Sequence, residues 1–494
     1  MDTDITRPNI LWICTDQQRY DTIAALGNPA IRTPHLDRLV ESGAAFTRAY
    51  CQNPICQPSR SSFMTSLYPN TIHINGNGVD RFPKEVPPVS RLFADAGYTC
   101  GLVGKLHLNA VGHGVEERTD DGYSYWHYSH APHWHPPHYP VTEGHDYADW
   151  VRDKGGDLDA LLSDPDGFPE KFHHTTWCGE KADAFITANQ DRPWFASVNL
   201  FYPHPPFNPA REMLDAYDPD AMPGPLFRES DIEQQKRLDL VPFQSEAFHP
   251  DKLGIGFRKG QTANYLGGRR DAGALKAHYY ALVTQVDACV GRLIETLEKT
   301  GQRDNTVVIF TSDHGEMLGD HGLIYKGCRF YEGGVRVPLV FNAPGRVAAG
   351  VRADGLVELL DIAPTILEMA GLEIPSHMQG RSLGGVLAGT ADPDHIRKFA
   401  RCEHYDANTK RNREGQPAYG TMYRDERYKC IVYHGYDLGE IYDLQEDPGE
   451  FENLWDSADH RDLKCTLIKR SFDASVLASD WGGLPNIRRG DKTL

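Results

Sequence analysis

Residues 8–16 read PNILWICTD, a short apolar run that ends in the acidic residue Asp16. A run of this length and composition is typical of a buried strand. It is followed by residues 33–46, TPHLDRLVESGAAF, in which apolar residues recur at helical spacing before Gly43. Because glycine commonly ends a helix, the two segments together predict a strand followed by a helix.

The same alternation of strand and helix returns along the chain. It is present in residues 92–105 (LFADAGYTCGLVGK) and 193–204 (PWFASVNLFYPH), and residues 274–301 form a long helical pattern before the apolar run NTVVIF. One face of that helix collects apolar side chains, namely Tyr279, Leu282, Val286, Val290, Leu293 and Leu297. The alternation predicts an α/β fold with a large, mostly parallel mixed sheet flanked by helices.

The C-terminal part of the chain has a different pattern. Residues 398–406 (KFARCEHYD), 418–434 (AYGTMYRDERYKCIVYH) and 439–450 (GEIYDLQEDPGE) predict short strands, with a hairpin turn near Asp425. Consecutive short strands joined by tight turns indicate an antiparallel sheet. We therefore predict two domains, a catalytic domain at residues 1–390 and a smaller α+β domain at residues 391–494.

Composition and charge exclude two classes of protein. A formal charge of -18 argues against nucleic acid as a partner, since such binders carry basic surfaces. No segment reaches the roughly 18 consecutive apolar residues that a membrane span needs. The first residues are acidic where a secretory signal is basic, and the 10 cysteines form no C-x-x-C pair. These features predict a cytoplasmic protein without disulfides.

Polar side chains follow four of the predicted strands. Asp16 ends the first strand, Lys105 and His107 follow the second, His204 follows the third, and Asp313 with His314 follows the fourth. Because ligands of open α/β sheets bind at the carboxyl ends of the strands, these groups are expected to meet at one site.

A metal site is the first chemistry that these residues suggest. The two carboxylates of Asp16 and Asp313, the imidazole of His314 and the amide oxygen of Gln17 are a donor set that suits a divalent cation. The alternative for each aspartate is a helix cap at a strand-to-loop junction.

An anion-binding site is the second chemistry that the candidate residues suggest. Arg60, Lys105 and Lys326 lie near turns where their charges can face a tetrahedral anion, and His107 and His204 can transfer protons. A single lysine is more often a solvated surface charge, and a single cysteine such as Cys56 is more often a buried thiol.

Several motifs, in order along the chain, resemble those of sulfatases in the alkaline phosphatase superfamily. The residues 56–60, CQPSR, match the C-x-P-S-R signature of that family. Further matches are GLVGKLHL, FYPHPPF, FTSDHGEMLGDHG, VRVPLVFNAPG, DIAPTILEMAG and EIYDLQEDPGE. The resemblance runs from Asn9 to about Leu454 and implies an alkaline phosphatase-like fold and a sulfuric ester hydrolase.

The resemblance also implies a role for each candidate residue. Cys56 is converted to formylglycine (3-oxoalanine) by a maturation enzyme, and its hydrate attacks sulfur while bound to a divalent metal. The metal ligands are Asp16, Gln17, Asp313 and His314, together with residue 56. The other roles are carried by Arg60, which holds the formylglycine, by Lys105, His204 and Lys326 at the sulfate, and by His107 as the base that releases sulfate. Asn77, or alternatively Asn75, faces the sulfate or forms a turn.

The chain differs from the usual sulfatase pattern at four positions. Gln57 and Ser66 stand where small residues and glycine are usual, and Gln17 and His314 stand where aspartate and asparagine are common. Gln17 and His314 also resemble the phosphonate monoester hydrolases, so the metal is predicted as Ca²⁺ or Mn²⁺ and a phosphonate or phosphate diester is the alternative substrate. A metal-dependent anion-binding protein without catalysis is a third hypothesis.

Residues 123–145 are rich in histidine and aromatic residues. We predict that this stretch is a packed loop that helps form the pocket wall or a subunit contact, rather than a second metal site. The expected partners are therefore a small-molecule sulfate ester and the maturation enzyme, with a homo-oligomer left open.

Overall fold

The computed structural model describes residues 7–112, 114–133, 145–164, 168–252, 269–408, 411–412 and 414–479. Within them the strands are β1 Asn9–Asp16, β2 Ala44–Tyr50, β3 Thr99–Gly104, β4 Val111–Gly112, β5 Val115–Glu116, β6 Tyr125–Tyr128, β7 Trp194–Pro203, β8 Thr306–Ser312, β9 Arg336–Val337, β10 Leu339–Asn342, β11 Val351–Glu358, β12 Ala400–Tyr405, β13 Tyr419–Arg424, β14 Tyr428–Tyr433 and β15 Leu438–Asp443. The helices are α1 Pro34–Glu41, α2 Cys56–Thr65, α3 Val89–Asp95, α4 Asp146–Asp153, α5 Leu158–Ser163, α6 His174–Ala188, α7 Arg211–Leu214, α8 Glu229–Arg237, α9 Ala272–Lys299, α10 Glu332–Val335, α11 Ile362–Met369, α12 Gly384–Leu387 and α13 Arg461–Ser479.

The large sheet has the strand order β11-β2-β10-β8-β1-β7-β3-β6, with β9 paired to β2 at its side. Strands β8, β1, β7, β3 and β6 run parallel to one another, whereas β10 runs antiparallel to both β8 and β2. The predicted α/β class with a mostly parallel mixed sheet is therefore confirmed.

Strand β1 lies at the centre of two hydrophobic cores, one on each face of the sheet. Its residues Ile10, Trp12 and Cys14 belong to the core on one face, and Leu11 and Ile13 belong to the core on the other. Because successive side chains of a strand point to opposite faces, a continuous apolar run is what a strand with helices on both sides requires.

The C-terminal strands form a separate antiparallel sheet in the order β12-β13-β14-β15, and Asp425 lies in the turn between β13 and β14 as predicted. Residues of this sheet, among them Cys402, Met422 and Ile431, extend one of the two cores of the large sheet. Helix α13 packs on the opposite face through Leu467 and Ala474. The two sheets share buried contacts, and the boundary near residue 390 stays a prediction.

Two expectations need refinement. The long helix α9 buries the predicted face, but most other residues of its first half are buried too, because the helix is covered on several sides. Residues 125–128 of the histidine-rich stretch form strand β6 at the sheet edge instead of a loop, and residues 134–144 lie outside the described residues. Among the described residues, no helix has the length and apolar character to cross a membrane.

The four strands with polar ends are neighbours in the sheet. Strands β8, β1, β7 and β3 are parallel, so Asp313, Asp16, His204 and Lys105 follow them at the same edge. Gly104 makes the turn at the end of β3 with φ +93°, and a Cβ there would lie 2.0 Å from the backbone oxygen of Asn199 in β7. Only glycine allows this close approach immediately before Lys105.

Replacing Gly104 with alanine is expected to lower the free energy of unfolding more than the same change at Gly97. Both glycines have positive φ, +93° and +87°, and nothing lies within 4 Å of a Cβ at Gly97. Each variant incurs roughly 1–2 kcal/mol of backbone strain, and only Gly104→Ala adds a clash with β7. Urea denaturation compares the two variants, and equal losses would contradict the proposed constraint at this turn.

Candidate active site

Four buried side chains converge at the carboxyl edge of the sheet. The donor atoms of Asp16, Cys56, Asp313 and His314 all lie within 4.8 Å of one another. Asp16, Asp313 and His314 are fully buried, and Cys56 is 2% exposed. These four residues come from three distant segments of the sequence, and the fold brings them to one point.

Helix α2 carries Cys56 at its first position into the centre of this cluster. All ten of its residues are buried, and its N-terminal partial charge favours a negative group at residue 56. No side chain of its own caps this helix; instead Asn77 Oδ1 accepts a hydrogen bond from Gln57 N at 3.0 Å. The cap therefore comes from a separate loop.

Arg60 ties the helix to the ends of two strands. Its Nε donates to Asp313 Oδ2 at 2.8 Å and its Nη1 donates to Lys105 O at 3.1 Å, while Nη2 lies 3.6 Å from Asp16 Oδ2. With a side chain 1% exposed, Arg60 contributes a positive charge that water screens little.

Two lysines add further positive charge. Lys105 Nζ lies 2.5 Å from Asp16 Oδ2, and Lys326 Nζ lies 3.0 Å from Cys56 Sγ and 3.2 Å from His314 Nε2. Burial on its own lowers the pKa of Lys105, but Asp16 and Cys56 outweigh it and the pKa is raised. Neither lysine is the solvated surface charge that a single lysine usually is.

Both predicted proton-transfer histidines reach the cluster. The rings of His107 and His204 interact with the Cys56 side chain, and His204 Nδ1–H donates to Pro205 O at 2.6 Å. Burial, aided by Lys105, lowers the pKa of His107 to about 4, so its imidazole is neutral and able to accept a proton.

The cluster makes Cys56 unlike other buried thiols of the chain. Burial by itself raises the pKa of Cys56, but Lys105, Lys326 and His314 outweigh it and hold the pKa well below its usual value. At Cys100, by contrast, burial raises the pKa to about 12. The surroundings of Cys56 therefore favour a reactive group over a core residue.

The donor set fits a divalent metal ion. His314 Nδ1–H donates to Gly315 O at 3.0 Å, which leaves the lone pair of Nε2 facing the cluster. Gln17 Oε1 is buried with no hydrogen-bond partner, as an unfilled ligand position would be. Asp313 Oδ1 accepts from the backbone N–H groups of Gln17 and His314, which fixes the carboxylate.

Three further residues near the site were not predicted individually from the sequence. Glu316 accepts a short hydrogen bond from Gln17 Nε2. Its position two residues after His314 was a hint in the sequence that it lies near the site. Glu116 holds the backbone of His107, whose N lies 2.5 Å from Oε2. His130, from the histidine-rich stretch, packs edge-on against His107 with ring centroids 4.5 Å apart.

Gln57, unexpected in the signature, has a structural role here. Its Nε2 donates to Val79 O at 2.7 Å and Leu108 O at 3.0 Å, and its Oε1 accepts from Gly78 N at 2.8 Å. It therefore joins the Asn77 turn to the segment after His107.

Ser66 ends helix α2 with φ +59°, where glycine is usual. Its Oγ donates to Leu360 O at 2.8 Å and accepts from Gly380 N at 3.0 Å, which offsets the strain of a left-handed residue.

Of the two candidate asparagines, Asn77 is joined directly to Gln57, whereas Asn75 Oδ1 is buried without a hydrogen-bond partner.

The fold and site define an α/β protein with a buried, cation-rich centre suited to a metal and an anionic ester. A family model described as Sulfatase matches residues 8–372, and one described as N-sulphoglucosamine sulphohydrolase, C-terminal, matches residues 319–475. The chain therefore belongs to the Sulfatase family, which confirms the resemblance and the predicted class of sulfuric ester hydrolase.

Individual relatives agree with this assignment over nearly the whole chain. An arylsulfatase of Clostridium perfringens is 27% identical over 94% of each chain, and the multifunctional alkaline phosphatase superfamily protein PehA of Trinickia caryophylli is 28% identical over 91% of each. The solved phosphonate monoester hydrolase of Agrobacterium radiobacter superposes with a TM-score of 0.78, at 25% identity over 96% of each chain.

Replacing Gln57 with alanine is expected to reduce the free energy of unfolding by about 1–3 kcal/mol, because buried Leu108 O loses its donor. Gln57→Glu should cost more, since a carboxylate oxygen would face two carbonyl oxygens. Thermal and chemical denaturation measure both variants against Gln190→Ala, a change at an exposed glutamine expected to stay within about 0.5 kcal/mol. A Gln57→Glu protein as stable as the parent would contradict this role.

Proposed function

We propose that the protein is a formylglycine-dependent sulfatase that hydrolyses a small-molecule sulfate monoester, as an arylsulfatase does. The observation that carries the proposal is the position of Cys56, whose Sγ lies 3.2 Å from His314 Nε2 and 3.0 Å from Lys326 Nζ. A formylglycine-generating maturation enzyme, using an external oxidant, would convert Cys56 to 3-oxoalanine. The Sγ position then marks the region that the oxygens of the aldehyde hydrate occupy.

The first step of the proposed reaction transfers the sulfuryl group to residue 56. One hydroxyl of the hydrate loses its proton and attacks sulfur, the bond from sulfur to the ester oxygen breaks, and the leaving oxygen takes up a proton to form the alcohol, which balances the proton lost. Lys326 Nζ contacts the thiol position and His204 interacts with it electrostatically, and both are assigned to hold the sulfate and assist this departure. Lys105 and Arg60 add positive charge where negative charge develops.

The residues assigned to the metal are Asp16, Gln17, Asp313 and His314, together with residue 56. A bound Ca²⁺ or Mn²⁺ would supply Lewis-acid stabilisation of the nucleophile and of the charge on sulfate. The chain's own contribution is orientation, because backbone N–H groups fix Asp313 and Gly315 O fixes the ring of His314.

The second step releases sulfate without hydrolysis of the covalent ester. His107 takes the proton of the remaining hydroxyl, the carbon–oxygen double bond forms again, and the carbon–oxygen bond to sulfate breaks. Water then hydrates the aldehyde and restores the nucleophile. Burial keeps the imidazole of His107 neutral, so the ring has the free lone pair that this assignment requires.

A phosphonate monoester or phosphate diester is the alternative substrate, with the same nucleophile. Gln17 and His314 favour it by their resemblance to phosphonate monoester hydrolases, and the solved hydrolase of that class shares the fold. Lys105 and His107 favour the sulfate ester, because they retain the pair that sulfatases use.

The matured protein is expected to hydrolyse an aryl sulfate with a higher kcat/KM than an aryl phosphate diester or phosphonate monoester bearing the same leaving group. Cys56→Ala should abolish all three activities, because it removes the nucleophile, whereas Cys100→Ala, at another buried thiol, should retain them.

Steady-state kinetics on the three substrates separates the hypotheses. Faster cleavage of the diester or the phosphonate would contradict the sulfatase proposal in favour of the alternative. A protein that binds a divalent metal but turns over none of the three would instead support an anion-binding protein without catalysis.

A further inference from the structure

The side chain of Gln17 is held in one orientation at the edge of the cluster. It is fully buried, its backbone has φ +69°, and its N–H donates to Asp313 Oδ1 at 3.0 Å. The hydroxyl of Tyr279 donates to Gln17 O at 2.5 Å, so both main-chain polar groups are fixed. The side-chain amide of Gln17 could still turn over, which would exchange the positions of its oxygen and its nitrogen.

Glu316 removes that freedom. One of its carboxylate oxygens accepts from Leu318 N at 3.0 Å and also from Tyr325 N, and the other accepts from Gln17 Nε2. With the amide turned over, Gln17 Oε1 would face a carboxylate oxygen, and two acceptors would meet in a buried site. The observed orientation leaves Oε1 buried without a hydrogen-bond partner.

We propose that Glu316 is a positioning residue that presents the oxygen of Gln17, and not its nitrogen, to the metal. The inference rests on the proposed function, since it concerns the metal that this function requires. An amide NH₂ group has no lone pair for a cation, so a turned amide removes one ligand from the site.

The same geometry explains why this chain pairs a glutamine at position 17 with a glutamate at position 316. An acidic residue at position 17 would set its carboxylate against that of Glu316 in a fully buried region. With glutamine at position 17, the only carboxylate of the pair is that of Glu316, and Gln17 lies between it and the metal site. The atom beside the metal is then the neutral amide oxygen of Gln17. Exchanging the two residue types should therefore preserve the site, whereas changing either one alone should not.

The test measures the affinity of metal-free protein for Mn²⁺ and for Ca²⁺ by calorimetric titration. Glu316→Gln is expected to bind about 10–100-fold more weakly, the usual effect of losing a partner that orients a metal ligand. Glu316→Asp keeps the charge but shortens the side chain by one methylene, and it should weaken binding similarly. The exchanged variant, Gln17→Glu with Glu316→Gln, should bind within about threefold of the parent protein.

Two results would overturn the proposal. The first is a Glu316→Gln protein that binds the metal as tightly as the parent protein. The second is a Glu316→Asp protein that binds as tightly as the parent while Glu316→Gln binds weakly, because Glu316 would then act through its charge alone. Where the single variants do not fold, the exchanged variant decides, because failure of that variant to fold or to bind contradicts the pairing. Glu440→Gln, at a buried glutamate that accepts from Tyr442, serves as the control and should bind like the parent.

A parent protein that binds neither ion gives a different answer. It would contradict the metal site of the proposed function itself, and this inference with it. Weak binding confined to the two single variants of Glu316 supports the inference, whatever ester the enzyme hydrolyses.

Discussion

The buried pairing of Arg60 with Asp313 is the interaction on which the rest of the site depends. Arg60 Nε, in helix α2, lies 2.8 Å from Oδ2 of Asp313, which directly follows strand β8 and is 253 residues away in the chain. A buried ion pair is stable only when its remaining polar atoms are also satisfied. Here backbone N–H groups donate to Asp313 and Lys105 O accepts from Arg60, which fixes helix α2 to strands β3 and β8, while Arg60 Nη2 lies 3.6 Å from Asp16 Oδ2 without a hydrogen bond.

That arrangement also concentrates positive charge inside an acidic protein. The chain carries a formal charge of -18, yet Arg60, Lys105 and Lys326 all lie within the buried cluster. In an interior of low dielectric constant their attraction for an anion is stronger than at the surface. In the proposed function these cations serve both the packing of α2 and the binding of an anionic ester.

The sequence predicted which candidate residues converge better than it predicted the side chains that hold them in place. Asp16, His204 and Asp313 were predictable because the carboxyl ends of parallel strands meet at one edge, and the signature at Cys56 carried the family resemblance. The supporting roles of Gln57, Glu116 and Glu316 were not predictable, because they depend on the paths of loops and on positive φ values at Gln17 and His107. Nor does any local pattern show that Tyr125–Tyr128 pair with β3, since that contact is set by the sheet as a whole.

The central claim is that Cys56 becomes the nucleophile by oxidation. Trypsin should release residues 49–60, which contain both Cys51 and Cys56, so the first thiol is an internal control. Mass spectrometry of alkylated protein that hydrolyses a sulfate ester should find Cys51 alkylated and residue 56 with its sulfur replaced by oxygen and two hydrogens lost. Alkylation of both cysteines in such an active protein would contradict the account.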